Sequence, residues 1–308
     1  MHLYVAQLLL ILKPMRILLT GKNGQLGWEL DHVLSKSATV FAMSRTDMDL
    51  SKPETIGPVI QGTRPDIIIN AAAYTAVDKA ESEPELAMTV NGIAPGVIAE
   101  EAQKIGAGMI HYSTDYVFDG KATYPYKEED PTNPLSVYGK SKLAGEQAVM
   151  QAGISHVILR TGWVYSLRGS NFLLSIQKLA QSRKQIKVVD DQIGGPTWSR
   201  TLAEGTARIL EQSLKGDAKK APIFSHSGVF HMSCGGKTNW FGFANKILEL
   251  SNLSEDTEVV PIPTIEYPTP AIRPKYSLLS NQKLKQVFHN EMPHWQEALQ
   301  ECLGPAPK

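Results

Sequence analysis

Only two cysteines, Cys234 and Cys302, occur in 308 residues. They stand far apart and without metal-ligand spacing, so two reduced thiols of a cytoplasmic protein are expected rather than a disulfide framework or a cysteine metal site. An excess of one charge is missing as well: 31 Lys and Arg balance 31 Asp and Glu, for a formal net charge of +0. Without a basic surplus there is no electrostatic footprint for a phosphate backbone, and nucleic acid is not expected as a partner. The apolar run at residues 5–12 falls well short of the roughly 20 residues that span a bilayer. It also lacks the basic start and small-residue cleavage site of a secretory signal, so no membrane partner is expected. Internal repeats and low-complexity tracts are absent. What remains, with 42% hydrophobic and 20% charged residues, is an ordinary globular composition.

The segment beginning Met15-Arg16-Ile17-Leu18-Leu19-Thr20 reads as the first strand of a domain. Residues 1–14 are therefore expected to be an N-terminal extension, with Met15 as the natural start. Strand patterns at 16–20, 39–43, 66–70, 108–113 and 155–159 alternate with helical patterns at 28–35, 94–105 and 137–152. That alternation predicts an α/β fold with a doubly wound, mostly parallel sheet covered on both faces. Past residue 163, Gly, Pro and aromatic residues become frequent. Residues 15–165 are expected to form the dinucleotide-binding domain and 166–308 mainly a smaller substrate-binding lobe. Segments near 186–214, including Ile186 to Val189, are expected to return to the first domain.

Directly after the first strand comes Gly21-Lys22-Asn23-Gly24-Gln25-Leu26-Gly27, with glycines three apart. Strand before, helix after and glycines between suit a pyrophosphate seated on a helix N-terminus. This Rossmann-type turn makes Gly21, Gly24, Gln25, Leu26 and Gly27 candidate cofactor ligands. At the end of the second strand, Ser44 and Arg45 replace the acidic residue that would grip ribose hydroxyls, which tilts the cofactor toward NADPH, with NADH use left open. Asp49 and Leu50 are candidates for the adenine edge. The small-residue exit from the third strand, Ala72 and Ala73 followed by Tyr74, is a place where a cofactor passes close to backbone.

Tyr138 and Lys142 open a predicted helix four residues apart and so share one face. A lysine ammonium beside a tyrosine stabilises phenolate and is expected to draw its pKa from near 10 toward the working range. Thr114, at the carboxyl end of an earlier strand, is placed to hydrogen-bond a substrate carbonyl. Together they suit carbonyl reduction: hydride from a nicotinamide, the proton from Tyr138, orientation by Thr114 and tuning by Lys142. His226, His231 and Cys234 lack completing ligands, and no metal site is expected.

These stretches are long and specific: GKNGQLGWEL at 21–30, NAAAYTAVDKAESE at 70–83, HYSTDYVF at 111–118, YGKSKLAGE at 138–146, RTGWVY at 160–165 and PTPAIRP at 268–274. By them the chain resembles the extended short-chain dehydrogenase/reductase family, and within it the reductases of dTDP-linked 4-dehydrosugars. The likeness runs from about Met15 to near the C-terminus. It implies NADPH-dependent reduction of dTDP-4-dehydro-β-L-rhamnose to dTDP-β-L-rhamnose, the last step of activated-rhamnose biosynthesis. It also implies that Asp115 and Trp163 contact the sugar and that the Arg273 region closes over the nucleotide.

Relatives on the same scaffold leave two alternatives open. A nucleotide-sugar epimerase uses the same tyrosine. A regulatory subunit like the beta subunit of methionine adenosyltransferase keeps the fold to bind a partner protein. A 4,6-dehydratase is poorly served, because Tyr116 follows Asp115 where a second carboxylate is needed. Some family members hold Mg2+ between subunits through glutamates. Glu29 matches one such position, but Arg200 puts a cation where a further glutamate belongs, so a monomer or weak homodimer without a metal bridge is expected.

Overall fold

The computed structural model describes residues 15–213 and 226–304; the expected N-terminal extension lies outside them. Strand β1 (Arg16–Thr20) leads through the glycine turn into helix α1 (Gln25–Leu34) and strand β2 (Thr39–Met43). Helix α2 (Ile56–Thr63), strand β3 (Ile67–Asn70), helix α3 (Ala94–Ile105) and strand β4 (Gly108–Thr114) follow. Helix α4 (Val137–Gln151) then connects to β5 (His156–Thr161). Beyond β5 come α5 (Phe172–Ala180), β6 (Gln185–Val189), α6 (Ser199–Ser213) and β7 (Gly228–His231). The chain closes with α7 (Trp240–Leu250), β8 (Glu258–Ile262), α8 (Gln282–Phe288) and α9 (Trp295–Leu303).

Six strands form one parallel sheet in the order β7-β5-β4-β3-β1-β2. Its strands are apolar on both faces, as a doubly covered sheet requires. The pleat sorts them: Ile17, Leu19, Ile67 and Ile69 pack under α1 and α6, against Leu30, Leu34, Leu202, Leu210 and others. Leu18, Ile68, Met109 and Ile158 face the other way, onto Ile56, Ile60, Ile98, Ala102 and Val149 of α2, α3 and α4. This is the Rossmann-type doubly wound layout. Because β2 and β3 flank β1 on opposite sides, the order reverses there, and the crevice outside the carboxyl ends of β1 and β3 is where such sheets take ligands.

One segment of the second half departs from the sequence expectation, while α6 does pack under the large sheet. Ile186 to Val189 do not return to the large sheet; β6 pairs in parallel with β8 in a separate two-stranded sheet. Gln185 and Lys187 are exposed while Ile186, Val188 and Val189 are buried, and a strand polar on one face cannot sit inside a doubly covered sheet. Instead β7, at the edge beside β5, completes the large sheet. The smaller lobe has its own core of Tyr165, Leu173, Ile176, Ile186, Phe243, Ile247, Val259 and Trp295. Among the described residues no helix is long and apolar enough to cross a membrane.

Candidate active site

The glycine turn is held to the end of β2, where Gly21 and Lys22 N–H groups donate to the Met43 carbonyl at 3.0 and 3.1 Å. Gly24 caps α1 without a side-chain acceptor, which leaves the positive end of the helix to serve an anion. A Cβ on Gly27 would lie 2.0 Å from the Gly21 carbonyl oxygen, so only glycine lets the helix start this close to the strand. These features fit a dinucleotide pyrophosphate. Gln25 Oε1 accepts from Asn171 Nδ2 at 2.8 Å and from Ser166 Oγ at 3.1 Å, joining the turn to the segment after β5. Leu26 packs against the core beneath.

At the end of β2, Ser44 is buried, and its amide and hydroxyl donate to Asp47 at 2.8 and 2.7 Å. Arg45 is largely exposed and pairs with Asp49 at 3.4 Å. Asp49 also accepts from the Ser51 amide and hydroxyl at 3.0 and 2.7 Å, while Leu50 is buried in the core. Asp47 is an acid the sequence reading passed over. The two Ser44 hydrogen bonds, aided by Lys22, hold its carboxyl down at about 2.

At the exit of β3, a buried chain fixes the geometry. Thr20 donates to Asn70 Oδ1 at 2.7 Å, and Asn70 Nδ2 lies 3.1 Å from His111 Nδ1. The Ala72 amide returns to Thr20 Oγ1 at 3.1 Å, and Ala73 continues the exit. Tyr74 is clamped by Asn91: the Tyr74 amide donates to Asn91 Oδ1 at 2.8 Å, and Asn91 Nδ2 donates to the Tyr74 carbonyl at 3.0 Å. The same amide group reaches Ser141 Oγ at 3.1 Å, tying this exit to α4. Asn91 sits in a π-helical turn, Thr89–Ile93, a local widening frequent at functional sites. The sequence signal for it, NG inside a helical pattern, is too weak to read.

Thr114 ends β4 and Asp115 follows it, buried at 4% and 2% exposure. Thr114 Oγ1 donates to Asp115 Oδ1 at 3.0 Å and accepts from the Tyr116 amide at 3.1 Å. Helix α4 starts beside them: Ser136 Oγ accepts from the Gly139 amide at 3.2 Å, and Glu81 accepts from the Val137 amide at 2.9 Å. The Tyr138 ring meets Tyr116 edge-on, centroids 5.7 Å apart. Burial pushes the Tyr138 phenol up to about 12, while the Thr114 hydroxyl acts the other way. Burial also raises Asp115 to about 6.

The structure therefore brings Thr114, Asp115 and Tyr138 together but corrects the expected role of Lys142 as the group that draws Tyr138 down. Lys142 Nζ donates to the Tyr112 carbonyl at 2.6 Å, and its own pKa is pressed by burial down to about 8. Desolvation of the phenol outweighs any ammonium effect on it.

Trp163 holds a left-handed backbone, φ 50°, and its ring lies flat on Trp240, centroids 3.5 Å apart. Arg273 forks onto Asp78, both contacts at 2.9 Å, which folds the segment before it over the residues that follow β3. The Arg200 guanidinium faces Glu29 at 4.0 Å. With that cation in place the residues present do not fit a divalent metal there, and no step is derived through one.

A family model described as the RmlD substrate binding domain matches residues 15–306. The chain belongs to this family. A dTDP-4-dehydrorhamnose reductase of Burkholderia thailandensis is 45% identical over 295 residues, covering 94% of this chain and 98% of that protein. A crystal structure of a dTDP-4-dehydrorhamnose reductase from Clostridium acetobutylicum superposes with TM-score 0.87 at 37% identity, covering 94% of this chain and 98% of that one. That from Bacillus anthracis, in complex with NADP, also reaches TM-score 0.87, at 35% identity and 94% and 99% coverage. Within the RmlD fold, Asn91 and Asp47 are positions that sequence reasoning missed.

Proposed function

We propose that the chain reduces dTDP-4-dehydro-β-L-rhamnose to dTDP-β-L-rhamnose with NADPH, NADH use being left open. The observation that carries this is the meeting of a dinucleotide turn with Thr114, Asp115 and Tyr138 at neighbouring strand ends of one sheet, in a chain that shares this family's whole length. Gly21, Gly24, Gln25, Leu26 and Gly27 would hold the pyrophosphate. Ser44 and Arg45 would face the adenosine ribose, Asp49 and Leu50 the adenine side, and Ala72, Ala73 and Tyr74 the central stretch. Lys142 would bind the nicotinamide ribose. When bound, the nicotinamide supplies the hydride.

The chain's own residues manage the proton. A phenol raised to about 12 stays protonated at neutral pH, which is the form a reduction needs. A developing alkoxide is more basic still, so transfer from Tyr138 Oη runs downhill. Thr114 orients the carbonyl oxygen, Asp115 and Trp163 contact the sugar, and Arg273 is placed by Asp78 over the nucleotide. The reading favours reductase over epimerase because relatives at 41–45% identity over nearly their whole length are named dTDP-4-dehydrorhamnose reductases, whereas the UDP-glucose 4-epimerase that shares the fold is 20% identical. With Arg200 facing Glu29, the chain is proposed to act as a monomer or weak homodimer without a metal bridge. The two cysteines are buried and free, as suits a reducing cytoplasm.

Product identification tests the proposal. NMR of the sugar after incubation with dTDP-4-dehydro-L-rhamnose and NADPH should show dTDP-L-rhamnose. A 4-dehydro epimer formed with NADPH intact would assign an epimerase instead.

A further inference from the structure

Tyr138, Lys142 and Glu146 recur every four residues along α4 and so line one face of it. Lys142 is 2% exposed and Glu146, one turn further on, 0%. A carboxylate with no access to water takes up a proton unless it is paired. Glu146 is paired: Arg160 of β5 donates through Nε to Oε1 at 2.9 Å and through Nη2 to Oε2 at 2.7 Å. Ser113 of β4 donates its hydroxyl to the same Oε1. Merely fixing α4 to the sheet does not call for this arrangement, since apolar side chains of similar volume do that as well or better than a buried ion pair.

We propose that Glu146, clamped by Arg160 and Ser113, is a positioning residue that acts through Lys142, one turn away on α4, and keeps it cationic. The proposal rests on the reading of Lys142 as a cofactor-binding residue. Among the charged groups of the site, Glu146 is the one whose charge bears on Lys142. His111 of β4 is fully buried and held neutral, first by desolvation and then by Lys142 itself. Tyr138, on the same helix, is a protonated phenol. Arg160 of β5 lies beyond Glu146 and bears on His231. Asp115 bears on Tyr138, and from the π-helical turn Asn91 presents a neutral amide. Burial works against the ammonium, and Glu146 is the charge that opposes it.

The test is the Lys142 titration in cofactor-free protein, read by NMR at the lysine ε-carbon and assigned with Lys142→Arg. Glu146→Gln should lower the Lys142 midpoint by about one pH unit or more, with the alkaline limb of kcat/KM moving down alongside it. Because that single change strands Arg160 as a buried lone charge, the double variant Glu146→Gln/Arg160→Met is measured too, removing both charges at once. A folded double variant with Lys142 midpoint and alkaline limb unchanged would overturn the proposal and leave Glu146 a purely structural role. The underlying reading of Lys142 has a separate arm: Lys142→Met is assayed for NADPH affinity, and full affinity there sinks that reading without touching the Glu146 comparison.

Discussion

A Cβ placed on Gly139 would lie 2.3 Å from the Tyr116 carbonyl oxygen. The first turn of α4 is thus pressed against the Thr114–Tyr116 backbone so closely that only hydrogen fits between. This contact places Tyr138 beside Thr114. Gly139→Ala must push the two apart, and a displacement near 1 Å at a reacting group costs about a hundredfold in rate. We expect kcat to fall by about that factor while NADPH affinity, measured by fluorescence titration, holds within a few-fold. Unimpaired kcat would show that the contact does not set the geometry.

Tyr138→Phe removes only the proton donor. NADPH binding should survive, and turnover should drop by roughly 10²–10⁴, the usual worth of general acid catalysis. Steady-state kinetics giving a rate near wild type would mean that the proton comes from elsewhere.

Lys142, pressed down to about 8 by burial, is a cation below that pH and loses its charge as pH rises past it. NADPH affinity should therefore weaken above about pH 8. In Lys142→Ala it should be weaker throughout and flat with pH. Calorimetric titrations across pH 6.5–9.5 check this, and identical profiles for both proteins would remove Lys142 from the cofactor site.

Asp115 is raised by burial from 3.8 to about 6. The folded chain keeps a proton that the unfolded chain has released between those values, so this group favours folding most at low pH and the benefit is lost as pH rises to 6 and beyond. A difference of that size corresponds to roughly 3 kcal/mol. Asp115→Asn lacks the dependence. Its stability relative to wild type, from urea unfolding, should climb between pH 4 and 7, whereas a constant difference across that range would contradict the burial argument.

Much of the large sheet was legible because its strands are short apolar runs and its helices carry clear periodicity. The glycine turn and the Tyr138–Lys142 pair were legible for a related reason, since both are set by spacing within a few residues. What escaped depends on contacts between distant segments. Gly228–His231 joins the large sheet at its edge through pairing with β5, and nothing in its four residues announces that. Ile186–Val189 is expected from its apolar residues to return to the first domain, but it pairs with β8, because Gln185 and Lys187 make one face of the strand polar. Glu146 finds Arg160 on β5 and Ser113 on β4, and Asn91 joins two loops it does not neighbour in sequence. Lys142 was expected to tune a phenol, but the burial of that phenol, which only packing reveals, governs its proton.

The most direct test of the central claim is NADPH oxidation, followed by absorbance, with dTDP-4-dehydro-L-rhamnose generated in place by the upstream dehydratase and epimerase. The account predicts oxidation that requires both upstream enzymes and consumes one NADPH per dTDP-rhamnose formed. Protein that binds NADPH yet oxidises neither NADPH nor NADH with this sugar present would contradict it.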